Sequence, residues 1–306
     1  MSRWDVLGLG VITVDDLIYV DRFPEPDTKV RTRAERRQGG GLTATALVAA
    51  ARLGAKAAYL GILGDDELSH YAVEELAREG VDCSSVEYRT GARPIHATVI
   101  VDASTGGRTI LYSMDGVFYP EPDDINGDLI TASRALVVDQ RAGASAVRAV
   151  ELAQARGIPV VADVEATGDA AGEELLCRAD HLIIGIELGR RATGFDDPPA
   201  VVAALASPAR ACCAVTAGAQ GCWYSERGDT VRHVPALLVA AVDTTGCGDV
   251  FHGAYATSIV RGEGVDTAIR VATTAAGLKA TQPGGRAGIP DRATVDRFLA
   301  GMMKDV

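Results

Sequence analysis

The feature that most constrains this fold is an alternation running almost the length of the chain. Apolar runs at Val6 to Gly10, Ala57 to Gly61, Ala135 to Asp139, Pro159 to Asp163, His181 to Gly185 and Cys212 to Thr216 are too short for helices. Most are followed by amphipathic or small-residue segments of helical period. Runs so continuously apolar are buried on both faces, as strands of a helix-covered parallel sheet are. The pattern predicts an α/β fold of three layers with a mostly parallel central sheet. Two intervals break the rhythm, residues 17–38 and 93–115. The second contains "IHATVIVDASTGGRTILYS", alternating in character with "STGG" as a turn. Together they predict a small β-sheet lid beside the main sheet. After Thr216, "ERGD" between two β-rich runs predicts a hairpin. Helices over Val250 to Arg261, Val265 to Thr281 and Ala293 to Met302 then close the chain. No long linker or internal repeat divides residues 1–306, so one domain carrying a lid is the economical organisation.

Charge narrows the function. Forty-one acidic against 30 basic residues give a formal charge of -11, which argues against a nucleic-acid partner, because that affinity comes from clustered Lys and Arg. The one notable basic run, Arg31, Arg33, Arg36 and Arg37, is short and fits a solvated strand face. Cys83, Cys177, Cys212, Cys213, Cys222 and Cys247 form no CxxC pair and no Cys/His ligand spacing. Reduced thiols in a cytoplasmic protein fit best. No stretch approaches the ~20 apolar residues of a membrane span, and the N-terminus lacks a signal-peptide pattern.

Two glycine-rich helix starts stand out. In "DTTGCGDVFHGAYA" the glycines permit a turn whose N–H groups point one way, and the helix N-terminus adds partial positive charge. Such a nest suits a phosphoryl group, with Asp249 placed to hold a carboxylate beside a reacting hydroxyl. Gly253, Ala254 and Ala256 are small enough for close backbone packing behind it. The second start is "GGGLTATALVAAARLGA", where Gly39, Gly40 and Gly41 lead into a helix of alanines. Asp15 and Asp16, after the first strand, offer carboxylates to sugar hydroxyls. No GxxxxGK[ST] occurs and "GLGVIT" lacks the third glycine of a dinucleotide fingerprint. A P-loop and a dinucleotide-dependent redox enzyme are therefore set aside. His252, on an apolar helix, reads as a packed core residue.

In order from about residue 4 to 300, these stretches resemble the motifs of the ribokinase, or PfkB, family of carbohydrate kinases, as do "YLGILGDDELSHYAVEELAREGVD", "AVTAGAQG" and "QPGGRAGIPDRATVDRFL". The resemblance implies a Rossmann-like sandwich with a β lid, and transfer of the γ-phosphoryl group of Mg-ATP to a sugar hydroxyl. It implies Asp249 as catalytic base, an anion hole from the backbone of Gly246, Cys247 and Gly248, and sugar contacts at Asp15, Gly40 and Gly41. Thr216, Gly218, Gly221 and Thr245 would meet the nucleotide, with Gly284, Gly285 and Ala287 near the adenine. ATP and Mg²⁺ are the implied cofactors, with a monovalent cation as a further candidate.

Three departures from the family pattern carry expectations of their own. Cys247 stands where alanine is usual, and a helix start would lower its thiol pKa and make it reactive. The NxxE motif expected near Gly185 to Leu188 is absent, leaving Glu187 and, at a strand end, Asp163 and Glu165 as acids for the metal. Thr45 replaces the usual asparagine of the sugar motif. With "DVFHGA" and "KATQPGGRAGIPD" this resembles the sulfofructose kinase branch, implying a ketose or an anionic sugar such as 6-deoxy-6-sulfofructose. Lys29 and Arg141 would supply its cations. A neutral-sugar or nucleoside acceptor, or a binding protein without turnover, are the alternatives, and the presence of Asp249 and both glycines counts against the last. A homodimer through the lid strands is expected.

Overall fold

The computed structural model describes residues 2–105, 107–166 and 168–302. In chain order its strands are β1 (Val6–Leu9), β2 (Thr13–Val20), β3 (Ala34–Gly40), β4 (Ala57–Leu63), β5 (Asp82–Tyr88), β6 (Ile95–Asp102), β7 (Arg108–Ser113), β8 (Ala135–Asp139), β9 (Val160–Asp163), β10 (His181–Gly185), β11 (Cys212–Thr216), β12 (Cys222–Glu226) and β13 (Arg232–Val234). The helices are α1 (Leu42–Arg52), α2 (Glu67–Arg78), α3 (Gly127–Thr131), α4 (Ala144–Gln154), α5 (Ala170–Arg178), α6 (Ile186–Thr193), α7 (Pro198–Leu205), α8 (Cys247–Val260), α9 (Val265–Lys279) and α10 (Arg292–Met302).

Nine strands form the main sheet in the order β13-β12-β11-β10-β9-β8-β1-β4-β5. Pairing is parallel from β11 through β5, and the β12–β13 hairpin adds an antiparallel edge. Successive side chains alternate between the two faces, and both faces are covered. Val6 belongs to one buried cluster with Leu47 of α1, Val250 of α8 and Ile269 of α9. Its neighbour Leu7 belongs to the buried cluster on the other face, with Ile130 of α3, Ala146 of α4 and Val201 of α7. That double burial is why the strands are apolar without interruption.

Close packing explains the small residues behind the second glycine motif. A Cβ on Gly253 of α8 would overlap the carbonyl of Ala46 in α1. Any side chain there would push the two helices apart and shift the start of α8.

The lid is a separate four-stranded sheet, β3-β2-β6-β7, with β2 and β6 parallel and the outer pairs antiparallel. It begins at Thr13, earlier than the sequence pattern predicts, and residues 21–33 between its first two strands form no strand. Asp15 and Asp16 therefore lie within β2 and not in a turn after β1. The turn between β6 and β7 falls at the expected "STGG", of which Gly106 lies outside the described residues. Strand β5 has no apolar run to announce it, because it pairs only on one side at the sheet edge and stays partly exposed. Among the described residues, no helix is long and apolar enough to cross a membrane, and the cysteines are free thiols.

Candidate active site

The start of α8 is the centre of the site. Gly246 is its N-cap, with a left-handed φ of 76°. A Cβ there would stand 2.6 Å from the Gly285 carbonyl oxygen, so both conformation and space require glycine. The Cys247 amide donates to the Thr244 carbonyl at 3.2 Å and the Val250 amide to Gly246 at 2.9 Å. The amides of Gly248 and Asp249 find no protein acceptor among the described residues, and the space beside the Gly248 Cα is open. Free first-turn amides at a helix N-terminus are an anion site.

Asp249 is the third residue of α8, inside the first turn. It keeps some accessible surface, yet its carboxyl lies deep among protein atoms. Loss of solvent raises its pKa well above the ordinary carboxylate value, and the charges of Asp163, Glu165 and Asp139 raise it further. A carboxylate made more basic in this way is a stronger proton acceptor, which general-base chemistry needs.

On one side of this turn opens a cavity of about 420 Å³. Thr216, Gly218, Gly221, Cys247 and Gly248 line it, so five of the sequence candidates converge there. Thr244 lines it rather than Thr245, whose amide is held by Asp243 Oδ1 at 2.8 Å. The opposite wall is an apolar loop that includes Leu237, Leu238 and Val239. No periodicity marks that loop in the sequence, and Leu238 is fully exposed.

On the other side lies a cluster of polar groups. Gly41 caps α1, and the neighbouring Gly40 abuts the Asp15 carboxylate. Asp15 accepts from Thr13 Oγ1 at 2.7 Å, and burial raises its pKa. Thr45 is buried, and its hydroxyl accepts from Arg286 Nε at 3.2 Å. Arg286 Nη2 donates to the Gly40 carbonyl at 2.7 Å, while Nη1 abuts Gly39 and has no protein acceptor among the described residues. Burial lowers the Arg286 pKa only to about 10, so the guanidinium is charged at neutrality.

Gly284, Gly285 and Ala287 are not among the residues that line the apolar cavity. Gly284 meets Gln38, and Gly285 meets Gly246. Arg52 Nη1 binds the Arg286 and Ile289 carbonyls at 3.0 and 2.9 Å, drawing the loop onto α1. The guanidinium buried beneath the glycine turn carries the loop to the lid side. In sequence, an arginine among glycines looks like an exposed loop charge, so Arg286 goes unnoticed there.

The metal candidates separate. Glu187 is exposed on α6 and paired with Arg190 at 2.8 Å. Asp163 is buried at the end of β9, its Oδ2 3.4 Å from His252 Nδ1, with its pKa raised to about 6 by burial. Among the described residues, no three His, Cys, Asp or Glu side chains are grouped to hold a metal ion. An ion here would have to arrive on another ligand's oxygens, within the negative field of Asp163, Glu165 and Asp249. His252 is core, as its helix position predicts, with Nδ1 2.8 Å from the Gly248 carbonyl and Nε2 3.0 Å from that of Ile183.

The Cys247 expectation also reverses. Burial raises its thiol pKa in spite of the helix start, because desolvation of a thiolate outweighs the dipole. Arg141 is exposed just beyond the carboxyl end of β8, its amide held by Asp139 Oδ1 at 3.0 Å. Lys29 is exposed in the connection between β2 and β3. Neither has an ion-pair partner among the described residues.

Comparison with known proteins agrees with this geometry. The model of the pfkB family carbohydrate kinases matches residues 6–292. Haemophilus influenzae ribokinase is 28% identical over 304 residues, covering 95% of this chain and 97% of its own. Probable fructokinase-4 of Arabidopsis thaliana is 30% identical over 294 residues, covering 86% and 87%. Among solved structures, an Agrobacterium tumefaciens protein provisionally assigned as a ribokinase superposes with a TM-score of 0.90 at 30% identity, covering 98% and 99%. Arabidopsis thaliana ribokinase complexed with ribose and ATP superposes with a TM-score of 0.83 at 22% identity, covering 98% and 99%.

Proposed function

The chain belongs to the pfkB family of carbohydrate kinases and is an ATP-dependent sugar phosphotransferase; from that premise we propose that the α8 start is where transfer occurs and that the acceptor is a ketose, carrying an anionic tail. One observation carries the reading of the site. The Gly246–Asp249 turn borders the apolar cavity through Cys247 and Gly248, and through Gly246 it touches the loop of Arg286. A base and its ribose fit the cavity, an apolar slot with a few polar groups at its mouth. The polar cluster of Asp15, Thr45 and Arg286 faces the sugar. A ribokinase relative complexed with ribose and ATP has the same fold.

In the reaction a sugar hydroxyl oxygen forms a bond to the γ-phosphorus, and the bond from that phosphorus to the bridging oxygen of ADP breaks. The hydroxyl proton passes to the Asp249 carboxylate, and ADP leaves with the electron pair. The free amides of Gly248 and Asp249 meet the charge on the transferring oxygens. Mg²⁺, when bound with the nucleotide, supplies further charge neutralisation, and Asp163 and Glu165 are the acids that would face it. The lid strand carrying Asp15 closes over the acceptor and excludes water from the transfer.

The anionic tail is supported by cations without partners: exposed Lys29 and Arg141, and the free Nη1 of Arg286. In a chain of charge -11, such groups favour an oxyanion ligand. ADP release from Mg-ATP, measured across 6-deoxy-6-sulfofructose, fructose, fructose 6-phosphate, ribose and adenosine, tests this. The expected ranking puts 6-deoxy-6-sulfofructose first, with Lys29→Ala and Arg141→Ala raising its KM selectively. Fructose or ribose outranking both anionic sugars would assign a neutral acceptor.

The lid also supports a homodimer. Strand β7 is a sheet edge bearing exposed Ile110, Leu111 and Tyr112, at 50, 56 and 57% exposure. An apolar open edge is a ready pairing surface. Sedimentation at micromolar concentration should give a dimer, and Leu111→Lys a monomer.

A further inference from the structure

Lys279, the last residue of α9, is wholly buried. A lysine in the last turn ordinarily reaches solvent or the terminal carbonyls of its own helix. Lys279 instead reaches across to the Asp243 carbonyl, which its Nζ meets at 2.8 Å. That is the one acceptor it finds among the described residues, leaving two N–H groups of a buried ammonium without a protein partner. Burial of such a charge is costly unless neighbouring charges answer it. Asp243 and Asp249 are the acids whose fields reach it, with Cys247 beside them and Arg108 opposing.

Asp243 is itself a clasp. Its Oδ1 accepts from the Thr245 amide and its Oδ2 from the Gly284 amide, both at 2.8 Å. Its own amide donates to the Ala280 carbonyl at 3.1 Å, next to the Val242 amide on the same oxygen at 2.8 Å. The residue three places before Gly246 thus ties together the lead into α8, the end of α9 and the loop of Arg286. The Lys279 ammonium sits at the hub of that clasp.

We propose that Lys279 is a positioning residue for phosphoryl transfer: a built-in cation that fixes Asp243 and lends positive charge to the Gly246–Asp249 turn. It neither gives nor takes a proton in the reaction. Its charge matters most when the transferring phosphoryl oxygens lie against the free amides, so its loss falls on kcat more than on binding. This inference rests on the kinase reading above.

Three variants test it, each assayed for kcat and KM with the best sugar and for thermal stabilisation by Mg-ADP. Lys279→Met keeps length without charge, Lys279→Gln keeps a donor without charge, and Lys279→Ala leaves room for methylammonium. The expected result is folded protein still stabilised by Mg-ADP, a kcat lower by about 10- to 100-fold, and a sugar KM nearly unchanged. Methylammonium should restore part of kcat in Lys279→Ala and none in Lys279→Met. Wild-type kcat in Lys279→Met or Lys279→Gln, or no rescue of Lys279→Ala, would overturn the proposal. So would failure of all three variants to fold, which would assign Lys279 to stability alone. A wild type inactive on every sugar would overturn the kinase reading itself, whereas an active wild type with undiminished variants overturns only the role of Lys279.

Discussion

The two glycine-rich helix starts look alike in sequence and do opposite things in the fold. At α1 the protein fills the space: Gly39 and Gly40 abut Arg286 and Asp15, and the Gly40 carbonyl takes a guanidinium hydrogen bond. The Ala44 amide in the first turn of α1 is bound to the Val11 carbonyl at 3.1 Å. At α8 the corresponding amides of Gly248 and Asp249 find no acceptor among the described residues, and the space beside Gly248 is open. Glycine at α1 lets buried charged side chains approach the backbone, and glycine at α8 leaves the backbone itself for a ligand. The first arrangement suits selection of a hydroxylated ligand by side chains, the second a phosphoryl group by amides.

That contrast can be broken at either end. Arg286→Gln should act at the α1 side alone, weakening sugar binding by about 10- to 100-fold, since a charged group hydrogen-bonded in a buried site is lost. Mg-ADP stabilisation should be unchanged; a loss of nucleotide binding as well would mean the two sides are not separable. Within the α8 start, Gly246→Ala should lower stability by about 1–3 kcal/mol, because the left-handed φ and the Gly285 carbonyl both oppose a methyl. Gly248→Ala, with open space, should leave the denaturant midpoint within about 0.5 kcal/mol of wild type while reducing turnover. Equal stability losses in the two would erase the distinction between packed and open glycines.

A smaller effect concerns pH. The base must be ionised, so activity falls as pH drops through the raised pKa of Asp249. Asp163, with its pKa near 6, carries the negative charge that contributes to that rise once it is ionised. Asp163→Asn should therefore move the acid limb of kcat/KM to lower pH, by up to about one unit. An unmoved or raised limb would separate Asp163 from the base. The smallest effect is expected at Cys247. Its thiol pKa is raised by burial, so alkylation at neutral pH should be slow, and Cys247→Ala should change turnover by less than about twofold.

The sheet was legible because its strands are buried on both faces, and the lid because β6 alternates. The edge strand β5 was not, since pairing on one side leaves it polar. The α8 start was legible for a different reason: Gly246, Gly248 and Asp249 are close in sequence, and local spacing suffices to place them on one turn. Arg286 and Thr45 are 241 residues apart, and nothing local couples them. Lys279 reads in sequence as an ordinary helix-end cation, and only the tertiary approach of Asp243 reveals its burial. Cys247 shows the same limit, because a helix dipole is local and visible whereas desolvation depends on the whole fold.

The most direct test of the central claim uses Asp249→Asn, which keeps the size of the side chain and removes its capacity to accept the proton. Mg-ADP and the preferred sugar are each titrated into the variant, and a single turnover of Mg-ATP with that sugar is then followed. The account predicts that both ligands bind within about threefold of wild type while transfer slows by about 10²–10⁴-fold. Transfer at wild-type rate, or loss of either ligand with the chemistry, would contradict Asp249 as the base between the apolar cavity and the polar cluster of Asp15, Thr45 and Arg286.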